Sequence, residues 1–329
     1  MTVKPYFQQD GVTLYHGDCR EILPTLGQQF QTVLTDPPYG KIRGDFDHAW
    51  TNRRAMLADV TQWRDAIVDR MTANATLWWF AWPSLAGLIE AHIAEKLNPL
   101  AHVVWKKPAT LAQKHCPEGL RAPGPETERI LMFEQYGADS WALGETGYAH
   151  KCDEARGLVF EPLLQYMLRE FELSGLTKRE VDLHFNTANV AQYWLQARGF
   201  IIPTEDKWRG LQRLRPAFFQ REYEDLRREY EDLRRYFALK TGQPKTDIWE
   251  FPTATTDERL GHPTPKPLAL IRFMIDISVR PQTAILDPFA GSGTTLLAAR
   301  LEGRQAVGIE ISEQYCEIAA NRLRQKLLF

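Results

Sequence analysis

Short apolar runs recur along the first third of the chain: 32–35 (TVLT), 77–80 (LWWF), 103–105 (VVW) and 130–133 (ILMF). Each is rich in β-branched or aromatic residues and short enough to be a buried strand. Between them, 56–71 and 85–97 carry apolar residues at helical spacing, which predicts amphipathic helices. Strand and helix therefore alternate up to about position 137, as in a parallel sheet covered by helices. The last part, from about 249, repeats that grammar. It predicts a helix at 267–278, a strand at 284–286, a glycine-rich turn, a helix at 294–301, a strand at 306–309 and a helix at 313–327.

The middle, roughly 140–245, reads as helical throughout, with no buried-strand pattern. It holds a tandem heptad, REYEDLR at 221–227 and again at 228–234. Tyr223, Leu226, Tyr230 and Leu233 fall at spacings of three and four, so they form one apolar stripe. Glu224–Arg228 and Glu231–Arg235 stand at i,i+4 in the favourable order. Two heptads are fewer than a coiled coil requires, which favours a solvated helix with one packed face. Upstream, Thr177 and Glu180 have the spacing of a capping box. A polar turn near Asn186 and a second helix through Val190, Tyr193 and Trp194 would complete a pair resembling a helix-turn-helix.

Composition narrows the class. Apolar residues make up 44% and charged residues 25% of 329, which excludes a disordered, collagen-like or disulfide-scaffold chain. Lys+Arg number 40 against 42 Asp+Glu, so nucleic-acid binding would need a local basic face. Such a face is available at 207–245, where eleven Lys and Arg stand against six acids, an excess of five. Cys19, Cys116, Cys152 and Cys316 form no CxxC pair, which predicts free thiols in a reducing compartment and no metal site. The first twelve residues lack a signal-peptide profile, and the most apolar stretch, 75–83, is too short to cross a bilayer. A cytoplasmic protein without a membrane partner is expected.

Two motifs carry chemistry. The predicted strand 284–286 runs into Asp287-Pro288-Phe289-Ala290-Gly291-Ser292-Gly293-Thr294-Thr295 and then a helix. Glycines at such a turn let backbone approach a ligand, and Glu310, nineteen positions after Gly291, can accept hydrogen bonds from both hydroxyls of a ribose. Leu296 stands where a dinucleotide fingerprint wants glycine, and no Walker string occurs. The loop therefore reads as a nucleoside-cofactor site of open identity. The second motif is Asp36-Pro37-Pro38-Tyr39, directly after a strand. Two prolines remove two donors and fix two φ angles, leaving a stiff loop with acceptors at Asp36 and the Pro37 carbonyl and an aromatic face at Tyr39. Acceptors without a nucleophile suit a substrate amine whose lone pair attacks elsewhere.

With these motifs in hand, the chain resembles the β class of amino-group DNA methyltransferases that use S-adenosylmethionine. The pattern is matched by Tyr15-His16-Gly17-Asp18-Cys19, the Asp36 tetrapeptide, His262-Pro263-Thr264-Pro265-Lys266-Pro267, the loop from Asp287, and Gly308-Ile309-Glu310. The resemblance covers about 12–137 and 246–325. It implies a circularly permuted Rossmann-like α/β sheet with helices on both faces and a mainly helical insert. The domain expectation is a catalytic half at 1–139, a target-recognition insert at 140–245 and a cofactor-binding half at 246–329.

The same resemblance implies roles. Asp36 and Pro37, in the loop stiffened by Pro38, would hold the target amine, and Tyr39 would stack on the extruded base. Gly291, Ser292 and Gly293 would wrap the methionine end of the cofactor, with Asp287 and Phe289 at its edges. Glu310 would bind the ribose, Asp18 the adenine surroundings, and Thr264 and Lys266 the cofactor carboxylate. Pro265 replaces a glutamine common in the family, a change expected to be neutral. Asp at position 36 favours N6 of adenine over N4 of cytosine, the alternative; an inactive DNA-binding relative is a further rival. The expected partner is double-stranded DNA, met by Lys178, Arg179, Arg213 and Arg215 of the insert and by Lys106 and Lys107 at a strand end. Lys41, Arg43, Asp45 and Asp47 would belong to a loop closing over the base. Homodimerisation and a separately encoded cognate endonuclease stay open, as does an orphan or phage origin.

Overall fold

The computed structural model describes residues 3–40, 50–108, 126–135, 148–197, 199–255, 258 and 264–325; the loop reading for 41–47 lies outside them. The described residues divide into two compact units, 1–134 with 236–329, and 135–235.

The first unit is built on a nine-stranded sheet. Its strands are β1 (Phe7–Gln9), β2 (Val12–His16), β3 (Phe30–Thr35), β4 (Met71–Ala81), β5 (Asn98–Lys106), β6 (Thr127–Glu134), β7 (Ile248–Glu250), β8 (Ala284–Asp287) and β9 (Gln305–Glu310). Their order in space is β1-β2-β9-β8-β3-β4-β6-β5-β7. Helices α1 (Cys19–Ile22), α2 (Arg53–Val68) and α3 (Ala86–Ile93) come from the first segment. The sheet is parallel from β2 through β4. The all-parallel expectation is corrected at β6, which runs antiparallel to both β4 and β5, and at β1 against β2. A β4-to-β6 path carries β5 and one reversal, so β6 brings its amino end to the edge where its parallel neighbours bring their carboxyl ends. The strands β1, β2 and β7 carry no long apolar run and were not legible from pattern.

Period-two alternation explains why the central strands read as unbroken apolar runs. In β4, Trp78 and Phe80 face one core while Leu77, Trp79 and Ala81 face the other. In β6, Ile130 and Met132 divide from Leu131 and Phe133 in the same way. A sheet buried on both sides has no solvent face to mark with polar residues. The second core is closed by α2 and α3 through Val60, Trp63, Ile67, Ile89 and Ile93. Burying each such side chain contributes about 1.5–3 kcal/mol.

The second unit has its own core. It contains α4 (Tyr148–Ser174), α5 (Lys178–His184), α6 (Glu205–Leu214) and α7 (Tyr223–Leu233). Phe160, Trp194, Phe200, Trp208 and Phe219 are almost wholly buried, and Phe160 stacks on Tyr230 at 5.1 Å. The capping box of Thr177 and Glu180 forms as predicted. The heptad stripe packs inward, with Leu226 and Tyr230 buried and Tyr223 and Leu233 against the same cluster. Arg228 meets Asp225 and Arg234 meets Glu231, both at i,i+3, and α7 ends at Leu233, which leaves Arg235 outside the helix. The second helix of the supposed helix-turn-helix is only a 3₁₀ turn, Ala191–Trp194. Asn186 and Asn189, both between α5 and that turn, hold positive φ, and Asp182 accepts the N–H groups of Asn189 and Val190. Asn tolerates this left-handed backbone, which interrupts a helix.

The third segment supplies α8 (Leu268–Ser278), α9 (Thr294–Leu301) and α10 (Glu313–Arg324), which close the first core through Leu270, Met274, Leu296 and Ala319. The end of α8 is fastened to the sheet: Trp78 Nε1 donates to Ser278 Oγ at 3.0 Å, and Thr32 Oγ1 to the Ser278 carbonyl at 2.9 Å. Among the described residues, no helix is long and apolar enough to cross a membrane.

Gly293 caps α9 with φ +80°, and a Cβ there would lie 2.9 Å from that of Ala319. Gly303 is also left-handed, at φ +63°, but has open space around it. Gly303→Ala should therefore cost only backbone strain, about 1–2 kcal/mol. Gly293→Ala should cost about 1–3 kcal/mol more, from overpacking. Urea unfolding of the two variants checks this; equal losses would contradict the packing argument.

Candidate active site

Parallel neighbours bring the acids together. Strand β2 ends just before Asp18, β3 just before Asp36, β8 at Asp287 and β9 at Glu310. In register, His16 lies opposite Glu310 and Asp287 opposite Gly308. Residues far apart in the chain consequently line one cleft of about 460 Å³. The wall includes Asp18, Asp36, Pro37, Pro38, Tyr39, Thr264, Lys266, Asp287, Phe289, Gly291, Ser292 and Glu310. Gly293 is not on that wall; its work is the close approach to α10 described above.

The glycine-loop side is organised by backbone. Glu310 accepts the Gly291 N–H on Oε2 and the Ser312 N–H on Oε1, each at 2.8 Å. These bonds fix the carboxylate and leave it acceptor capacity for a ligand. Burial raises its pKa, while the N–H groups of Ser312, Gly291 and Ile311 oppose the rise. Asp287 accepts the Phe289 N–H at 3.1 Å, and burial pushes it up to about 7, against Thr295 and Phe289 and with Asp36 and Glu310. Asp18 caps α1, accepting the Arg20 N–H at 2.8 Å and the Arg20 guanidinium at 2.5 Å. The cleft also exposes Ile311 and is bordered by Tyr315. A fixed acid for vicinal hydroxyls beside apolar surface fits a nucleoside, and the volume lies within the ordinary ligand range.

On the Asp36 side both carboxylate oxygens are engaged. Tyr39 donates its hydroxyl to Oδ1, and Lys266 Nζ donates to Oδ2 at 2.5 Å. Lys266 also lies 3.4 Å from Glu128 Oε2, and Lys107 pairs with Glu128 Oε1. Burial raises the Asp36 pKa; Lys266 pulls it down and Glu128 adds to the rise. Burial also works against charge on Glu128, yet Lys266 and Lys107 outweigh it and hold the carboxyl below its ordinary value. Lys266 is disfavoured by burial in the same way, and Asp36 with Glu128 more than compensates, holding the ammonium up.

Two sequence expectations meet a different geometry. Lys266, expected at a cofactor carboxylate, is enclosed by Asp36 and Glu128 with 8% of its side chain exposed. Lys107, expected at a phosphate, is turned inward onto Glu128 and over the Trp105 ring at 4.9 Å, so its charge is already matched. Lys106 is exposed and pairs with Glu250 at 2.7 Å. In the helical unit, Lys178, Arg179 and Arg213 are exposed, whereas Arg215 holds the Ser174 carbonyl at 3.2 Å and Glu180 at 3.4 Å. Glu128 was missed entirely. A single acid at the start of an apolar strand has no motif, although a charge preceding ILMF is the one trace it leaves.

A family model described as DNA methylase (N6_N4_Mtase) matches residues 30–321. The Type II methyltransferase M.ScaI of Streptomyces caespitosus is 26% identical over 327 residues, 97% of this chain and 84% of that protein. The DNA adenine methyltransferase YhdJ of Escherichia coli (strain K12) is 43% identical over 79 residues, 23% of this chain and 27% of that protein. The solved PvuII DNA methyltransferase (cytosine-N4-specific) aligns with a TM-score of 0.56 at 11% identity, over 99% of this chain and 91% of that one. That likeness speaks to fold alone.

Burial of Asp287 makes stability depend on pH. An exposed Asp titrates near 3.9, so the folded protein holds this proton up to about 7. Charge on Asp287 thus costs stability progressively as pH rises through that window, and nothing below it. Asp287→Asn should melt higher than the parent, by a margin that grows from about pH 4 to about 7 and then levels off. Thermal melts across pH check this; a margin independent of pH would contradict the assignment.

Proposed function

The chain belongs to the N6/N4 DNA methylase family, and on that footing we propose that it methylates the N6 amine of adenine in duplex DNA. The family is dependent on S-adenosylmethionine. When bound, that cofactor supplies a methyl carbon made electrophilic by its sulfonium. The observation that carries the reading is that Asp36 and the Gly291 loop line one cleft. An amine acceptor and a nucleoside cradle then face the same space, which is what in-line transfer between two bound groups requires.

On this reading Asp36 and the Pro37 carbonyl accept the amine hydrogens and orient its lone pair, held still by the paired prolines. The Tyr39 ring stacks on the extruded base, worth about 1–3 kcal/mol. Extrusion itself costs a few kcal/mol, so a rigid acceptor set beside the donor matters. Glu310 takes the ribose hydroxyls and Ile311 borders the purine. Gly291 and Ser292 lie along the methionine end, with Asp287 and Phe289 at its edges. Thr264, Asp18 and its partner Arg20 bound the remaining cleft. Adenine is preferred to cytosine because the first catalytic position is Asp36. The partial match to an adenine enzyme supports the same base. The helical unit is proposed as the target-recognition region, presenting Lys178, Arg179 and Arg213 to phosphate.

Incubation of unmethylated duplex DNA with methyl-labelled cofactor, followed by nucleoside digestion, tests the reaction. Label in N6-methyldeoxyadenosine is expected; label only in N4-methyldeoxycytidine would overturn the base, and none in DNA would overturn the reaction. Asp36→Ala should lower turnover on the order of 100–1,000-fold, as loss of one preorganised polar group does elsewhere, with cofactor affinity retained. Replacing Lys178 and Arg179 by Ala should weaken duplex binding and lower the salt slope by about 0.9 for each phosphate no longer neutralised. An unchanged slope would remove these residues from the interface.

A further inference from the structure

Lys107, Glu128, Lys266 and Asp36 form an alternating row of cation and anion, closed at its far end by the Tyr39 hydroxyl. Lys266 Nζ also lies 5.3 Å from the Tyr39 ring centroid and 5.1 Å from that of Phe80. Glu128 and Lys266 are each more than nine-tenths buried. The groups facing Asp36 come from four places: Tyr39 on its own loop, Lys266 on the segment entering α8, Glu128 on β6 and Asp287 on β8. Of these, only Lys266 carries a positive charge.

We propose that Lys266, tethered by Glu128, is a positioning residue for methyl transfer that acts through Asp36, fixing it as an anion whose free lone pairs face the amine. The proposal rests on the methyl-transfer reading and adds a role for this row. An amine that must donate its hydrogens needs acceptors, and protonation turns one of the two carboxyl oxygens into a donor. Burial and two neighbouring carboxylates all favour that proton; Lys266 opposes it by charge and hydrogen bond, and the Tyr39 hydroxyl by hydrogen bond alone. A lysine on a flexible stem could leave Asp36, and Glu128 supplies the second anchor. Glu128 in turn stays ionised because Lys107 stands on its other side. Two cations and two anions bury no net charge, the condition under which such a row is tolerable.

The test compares the parent with Lys266→Met, Lys266→Gln, Lys266→Arg and Glu128→Gln. Turnover is measured across pH, cofactor affinity by calorimetry, and the Asp36 carboxyl is titrated by carbon NMR in the cofactor-free protein. Lys266→Met should move the acidic limb of turnover, and the Asp36 titration with it, upward by about one to three pH units. Activity should return at alkaline pH and cofactor affinity should change little. Lys266→Arg should restore the parent profile. Glu128→Gln removes a tether of Lys266 and an anion that repels Asp36 together, so both curves should move less than in Lys266→Met. Lys266→Gln, expected to move them as Lys266→Met does, carries the test if the Met variant does not fold. An Asp36 titration that stays in place, or a loss of cofactor affinity with the limb unmoved, overturns the proposal. Parent protein that transfers no methyl at any pH overturns the methyl-transfer reading, while the NMR titration still decides the role of Lys266.

Discussion

A lysine buried against an aspartate 230 positions away is the contact on which the cleft depends. Withdrawing either charge from water costs several kcal/mol after relaxation, so neither would be buried alone. The pair is viable because both segments arrive on rigid supports. Asp36 leaves the end of β3 into two prolines, and Lys266 precedes Pro267 at the start of α8, whose far end is bolted to β3 and β4 through Ser278. The amine-acceptor loop and the late, cofactor-side segment are thereby held in one frame.

The sheet order makes this economical in chain. Strands β8 and β9 are made last but lie between β2 and β3, so Glu310, Asp287 and Asp36 reach one edge from neighbouring parallel strands. Reversal of β6 then delivers Glu128 to that edge from its amino end, where a parallel strand would have delivered its carboxyl end. The charge balance of the site is therefore a product of topology as much as of motif.

This division also separates what could be read from the residues alone from what could not. Helix α9 was legible to the residue, because its glycine turn, its apolar spacing and its end at Glu302-Gly303 are all local. The capping box at Thr177 was legible for the same reason. The Asp36 and Gly291 loops were found as motifs, and their common cleft followed from the parallel sheet. Glu128 was invisible because its partners are distant in sequence, and the inward turn of Lys107 follows from Glu128. The second helix near Val190 failed because Asn186 and Asn189 adopt left-handed backbone that apolar spacing does not report. Strands β1, β2 and β7 are short edge or near-edge pieces whose definition comes from pairing, not composition.

A double-mutant cycle on unfolding free energy, with Asp36→Asn and Lys266→Met singly and together in the cofactor-free protein, addresses the central contact most directly. Lys266→Met leaves Asp36 without its cation, and Asp36→Asn leaves Lys266 with Glu128 alone, so the double variant should be less destabilised than the sum of the two, with a coupling of about 0.5–3 kcal/mol. Losses that add to within about 0.5 kcal/mol would mean the two side chains do not sense each other, and the account of the site would be wrong.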